Sequence, residues 1–349
     1  MDSNWGFWSQ VCVVDWEVTM IAPGKTTIRH EAETDLLTRA LSGDVEASSK
    51  TLKYLGSNNL GLRQIIQESI RDLSDPRLWC RLLQCLALHH WDNQLDCEWR
   101  SDPEASHRID QAIIELFTQD KNEEEKPKKV MVLHEALLDP EPAVRQTAAC
   151  LMGFRGNLHV IPVLTETIET GSKACKVFAI KTLAVLKDKR CGPPLIKALA
   201  MDRDVLHREA HQALRSLGPL AEEAWSEALN HPDRHIRWHA ARGLGDIGDT
   251  RATLTLAEGL MDVNQAVSWA TADALARLGA SAVPAILTVI SRHQLNEPFR
   301  QAAYHALHSI SSRQIQEFVK PLLNALRGPD AFVEAPAVAQ RLLMEWEKA

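Results

Sequence analysis

Aromatic residues make up only 5% of this 349-residue chain, and no run of 18 apolar residues is free of charge. The first scarcity disfavours strand-built architectures, and the second removes a simple membrane span. The N-terminus opens MDSNW, without the basic stretch and apolar core of a secretory signal, so the expected compartment is the cytoplasm. Seven cysteines, an odd number with no CxxC pair, read as reduced thiols filling a core. A basic excess is also missing. Residues 1–130 carry 15 Lys and Arg against 22 Asp and Glu, and the remainder carries 24 of each. That balance makes nucleic acid an improbable partner, because displacing its counterions requires a basic surface.

What is present is alanine and leucine in a repeating order, at 45% apolar and 24% charged residues. Six segments align: AVRQTAACLMGFRG (143–156), ACKVFAIKTLAVLK (174–187), LHREAHQALRSLG (206–218), HIRWHAARGLGDIG (235–248), VSWATADALARLG (267–279) and FRQAAYHALHSIS (299–311). Taking Arg145, Lys176, His207, Arg237, Ser268 and Arg300 as position 0, the spacing is about 31 residues throughout. Apolar columns at −1, +3, +7 and +10 form one buried helical stripe. Column +3 is small, from Ala148 to Ala303, so neighbouring helices can approach closely. Second apolar segments such as VIPVLTETI and AVPAILTVI lie between, several opened by proline, and Gly156, Gly218, Gly248 and Gly279 recur at +11 as helix C-caps.

This two-helix unit, with Val-Arg at the helix start and Ala-Ala-x-x-Leu-Gly following, resembles the HEAT repeat in its short, bacterial, lyase-type form. The resemblance implies an all-α solenoid of stacked helix pairs. It also implies a ladder of charged residues, Arg145, Arg237 and Arg300 with Asp139, Asp233 and Asp262, from which Lys176, His207 and Ser268 depart. The expected organisation is an irregular N-terminal helical region over 1–130, a regular array over 131–326 and a capping helix over 327–349. Degenerate units near Val45, Trp79 and Asp110 extend the array upstream, and DKNEEEKPKK (120–129) reads as a solvated, mobile loop.

Several motifs resemble chemical sites. TMIAPGKTT (19–27) approaches a phosphate-binding loop, but Thr19 stands where the first glycine belongs, and no strand-helix alternation follows. His207 and His211 in one repeat and His235 and His239 in the next have metal-ligand spacing. Column +4 is a packing column, however, so His211 is expected to face away from the other pair. HEAT-like di-iron hydroxylases carry His-Glu pairs on their repeat helices, whereas His30-Glu31 and His134-Glu135 here fall outside the aligned helices. No Ser-His-Asp or Cys-His arrangement can be assembled. The expectation is therefore no catalytic residue, no cofactor and no metal.

Columns +1, +5 and +8 point away from the buried stripe, and in HEAT proteins that face lines the concave surface. Trp238 and Trp269 occupy column +1 in adjacent repeats, with Arg208, Gln212 and Arg215 on one side and Arg242 and Asp273 on the other. Exposed aromatics ringed by arginine have the composition of an interface centre. These seven residues form the candidate surface for a protein partner, and the expected function is a non-catalytic scaffold or adaptor. Two rivals come from the resemblance: a chromophore-lyase subunit or chaperone, and a nucleic-acid binder like the HEAT-like DNA glycosylases, to whose inner helix the Trp269-x3-Asp273 pair is similar. The tryptophans crowding the first hundred residues (Trp5, Trp8, Trp16, Trp79, Trp91, Trp99) read as a bulkier core.

Overall fold

The computed structural model describes residues 28–91, 102–120, 125–201 and 205–348, and among these the elements are helices and turns with no strand. The described residues open with α1 (Ile28–Leu41), α2 (Val45–Leu55), α3 (Leu60–Arg71), α4 (Pro76–Leu86), α5 (Pro103–Thr118) and α6 (Glu125–Ala136). Helix pairs follow: α7 (Pro142–Phe154) with α8 (Ile161–Thr170), α9 (Lys173–Leu186) with α10 (Gly192–Met201), and α11 (Val205–Leu217) with α12 (Glu222–Ala228). After these come α13 (Arg234–Ile247) with α14 (Thr253–Glu258), α15 (Gln265–Leu278) with α16 (Val283–Arg292), and α17 (Glu297–His308) with α18 (Arg313–Arg327). A last helix, α19 (Ala331–Trp346), lies against α16 and α18. The protein is an α-solenoid, and each aligned segment is the first helix of a pair.

Local chemistry sets the ends of these helices. Asp44, Asp75, Asp102, Ser172, Asp233 and Asn264 accept from backbone N–H groups of the turns they cap, satisfying donors that a helix start leaves open. All four expected glycine caps have positive φ, between 58° and 83°. Lys187 holds the same column with φ 50°, the one non-glycine in that region among the described residues. A β-carbon there strains the backbone.

The repeat columns pack as their spacing dictates. Val144, Cys175, Leu206, Ile236, Val267 and Phe299 at column −1 are buried, as are the small residues of column +3. Helices α13 and α15 come closest because Gly245 faces Ala274; a β-carbon on Gly245 would stand 2.7 Å from the Ala274 methyl. By contrast α11 and α13 approach each other far less than α9 and α11 or α13 and α15 do. That seam is where the histidines lie.

Some expectations need correction. Residues Glu125–Lys129 begin α6 rather than a loop, and Lys129 is buried. Its ammonium donates to the Gln119 carbonyl at 2.9 Å and lies 5.0 Å from the centre of the Trp79 ring, so partners compensate its desolvation. The ladder is also different. Arg237 pairs with Asp262 of the following turn, at 2.6 Å, and not with Asp233 of the preceding one. Arg145 instead donates to the Asp139 and Pro140 carbonyls, while Arg300 pairs with Glu297 within its own helix. Asp233 caps α13.

Trp79 and Trp91 are core residues, as a bulkier N-terminal core requires. The other four early tryptophans and TMIAPGKTT lie outside the described residues. One stretch, 265–292, is apolar and long enough by composition to cross a membrane. It comprises α15, a 3-10 turn and α16, and its Val267, Leu275, Val283 and Ile286 are buried in the solenoid.

Candidate binding surface

The first helices stand side by side, and their +1 and +5 columns share one face. Trp238 from α13 and Trp269 from α15 line a cleft of about 260 Å³ with Arg242, Asp273, Ala266, Ala270 and Arg277. Four of the seven residues expected from sequence are thus brought together. Arg208, Gln212 and Arg215 on α11 are exposed but lie outside the cleft, across the wide seam.

The two indoles differ. Trp238 is half-buried against the core and carries the Arg242 guanidinium 4.7 Å above its ring. Stacking holds that planar cation in place while leaving its N–H fork free to bind an acceptor. Trp269 is 37% exposed, with the His305 ring 4.5 Å away. Asp273 accepts from His305 Nε2 at 2.7 Å, and Arg277 pairs with Asp246 at 3.3 Å. Both carboxylates on this part of the face therefore have partners. Among the described residues neither Arg215 nor Arg242 has an ion-pair partner.

His305 and Arg277 were missed by the sequence reading. His305 occupies column +5, the same column that supplied Gln212, Arg242 and Asp273, so carrying the column one repeat further would have found it. Arg277, at +9, belongs to no surface column. It joins the cleft because it extends back across Gly245, to within 2.5 Å of where a side chain there would begin.

The histidines converge more than the columns imply. His207 Nε2 and His239 Nε2 stand 3.1 Å apart, and the His211 and His239 rings are 5.3 Å apart. Column +4 of one repeat meets column +2 of the next across the seam, which corrects the expectation that His211 faces away. His207 Nδ1 also lies 3.0 Å from the Leu199 carbonyl, so that nitrogen carries the hydrogen. Burial and the neighbouring His207 push His239 down from the ordinary 6.5 to about 4, and burial followed by Arg215 lowers His211. Among the described residues, no group of three or more His, Cys, Asp or Glu side chains is arranged to hold a metal ion.

His207 has a second meaning. Arg145, Lys176, His207 and Arg237 all donate from position 0 into carbonyls ending the preceding segment, those of Asp139, Glu169, Leu199 and His231. What recurs in this column is the donated hydrogen bond to a carbonyl of the last helical turn or of the turn just after it, which three different side chains can make. A larger hollow of about 420 Å³ lies on the turn edge between Leu229 and Val263, where Arg237 and Asp262 pair with each other and Glu258 adds a further carboxylate.

A family model of HEAT repeats matches residues 193–276 and 222–308, so this part of the chain is built of HEAT repeats. Deoxyhypusine hydroxylase of Candida albicans is 24% identical over 244 residues, a match covering 59% of this chain and 77% of that enzyme. Among solved structures, importin beta is similar with a TM-score of 0.39 and 13% identity over 90% of this chain and 48% of its own. Human deoxyhypusine hydroxylase gives a TM-score of 0.27 and 19% identity over 79% of this chain and 99% of its own.

Proposed function

We propose that this HEAT-repeat chain is a protein-binding scaffold or adaptor whose first-helix face holds its partner. The observation that carries the reading is the cleft between Trp238 and Trp269, where a large indole stays partly exposed beside a stacked arginine that has no ion-pair partner among the described residues. A solenoid touches partners along a long surface, and anchors of this kind concentrate binding energy within it. Capture of partners from the source cell by wild-type chain and by Trp269→Ala tests it. The indole is 37% exposed and outside the buried stripe, so the variant should keep its helical circular dichroism while the captured partner is lost. An unchanged capture profile with a folded variant would remove the site.

A second reading, hydroxylation of a deoxyhypusine-bearing protein, is favoured by the match to the Candida albicans enzyme. Against it stand the positions of this chain's two His-Glu pairs. His30-Glu31 begins in α1 and the exposed His134-Glu135 ends α6, both outside the first helices of the repeats. Incubation with the deoxyhypusine-bearing substrate under ferrous conditions, read by mass, separates the two: gain of one oxygen atom supports the enzyme reading.

A further inference from the structure

The first-helix face has a charge of its own that the whole chain conceals. The chain is net −7 and its repeat array is balanced, yet between α11 and α15 this face presents Arg208, Arg215, Arg242 and Arg277 against Glu209, Asp246 and Asp273. The three carboxylates are taken up, by Arg208, Arg277 and His305, which leaves Arg215 and Arg242 as the cations without an ion-pair partner among the described residues. Arg242 is held flat on Trp238 at the cleft edge, with its guanidinium edge available. Burial chiefly, and Arg215 after it, disfavours a proton on the neighbouring His211. A local excess of fixed cations beside an apolar cleft, on an otherwise acidic molecule, suits a short acidic ligand and repels a long polyanion such as nucleic acid.

We infer that the occupant of this face is an acidic peptide segment, one whose Asp or Glu carboxylates meet Arg242 and Arg215 while an adjacent apolar side chain enters the cleft between Trp238 and Trp269. This rests on the proposed scaffold reading and names the chemistry of its partner. Arginine binds a carboxylate through two parallel N–H donors, and the stacked position of Arg242 reduces the freedom lost on binding. The span from Arg215 across the seam to Trp269 fits an extended segment better than a single side chain.

A random peptide library panned against the full chain tests the inference, with a variant carrying Arg215→Glu and Arg242→Glu as counter-screen. Both arginines are exposed, so the variant should keep its helical circular dichroism. Selected peptides should be enriched in Asp and Glu beside an apolar residue, and synthetic copies should lose about tenfold or more in affinity for the variant and weaken with salt. Peptides that need Trp269 but show no acidic excess would overturn the charge inference and leave the binding surface standing. Failure to select any peptide that depends on Trp269 or Arg242 would overturn both, and tighter retention of an oligonucleotide than of any peptide would overturn the assigned partner class.

Discussion

At the scale of single residues, His239 is the group with the clearest pH consequence. Its folded-state value near 4 lies below the ordinary 6.5, so between these values the unfolded chain binds the extra proton. Stability therefore rises with pH across this window. The contribution is fully present above about 6.5 and is lost as pH falls toward 4. The thermal midpoint should drop between pH 7 and pH 5, and His239→Gln should flatten that dependence; superimposable profiles for the two proteins would show that the seam histidines are not its source. Trp238 illustrates a different point. Its column marked it as surface, but the indole lies partly on the core and serves as a platform for Arg242. Trp269 is the cleaner probe of binding.

At the scale of helix pairs, position 0 joins one unit to the next. Arg237 is the fullest case, with Asp262, the His231 carbonyl and the Pro232 carbonyl all within 3.0 Å and little solvent around the pair. Removing it leaves a nearly buried carboxylate and two carbonyls without a donor. Arg237→Ala should cost about 3 to 5 kcal/mol, measured by urea unfolding, against about 0.5 kcal/mol for a surface arginine such as Arg292→Ala. A cost near that of Arg292→Ala would mean the bridge is replaced by water at no penalty. The same column shows how far an alignment reaches. Lys176 and His207 look like departures by residue type, yet each donates to the same kind of carbonyl. Their role follows from donor position and reach, which only coordinates display.

At the scale of the whole molecule, a solenoid's stability is a sum over its units and the interfaces between neighbours, so a loose interface is where the array opens most readily. The row of first helices is tight from α13 to α17 and loosens between α11 and α13, where imidazoles span the gap. Exchange of backbone amides should therefore be faster in α11 and α13, which border the seam, than in α15, and hydrogen exchange read by mass spectrometry would show it. Uniform protection along the row would indicate that the array opens as one unit. Because Arg215 lies on one side of this seam and Trp238 on the other, an occupant of the face would also slow exchange in α11.

The sequence by itself determined the period, the helix pairs, the buried columns and the glycine caps, since each depends on local spacing and on backbone preference. It also located Trp238, Arg242, Trp269 and Asp273 on one face, because residues at equivalent positions in successive repeats line up. Tertiary structure decided which of those residues meet. Arg208, Gln212 and Arg215 stand apart because the seam after α11 is wide, Arg277 joins because Gly245 leaves room, and Lys129 is buried because Gln119 and Trp79 come to it. Those outcomes depend on the distance and tilt between helices, which arise from packing many side chains at once and are written in no single column.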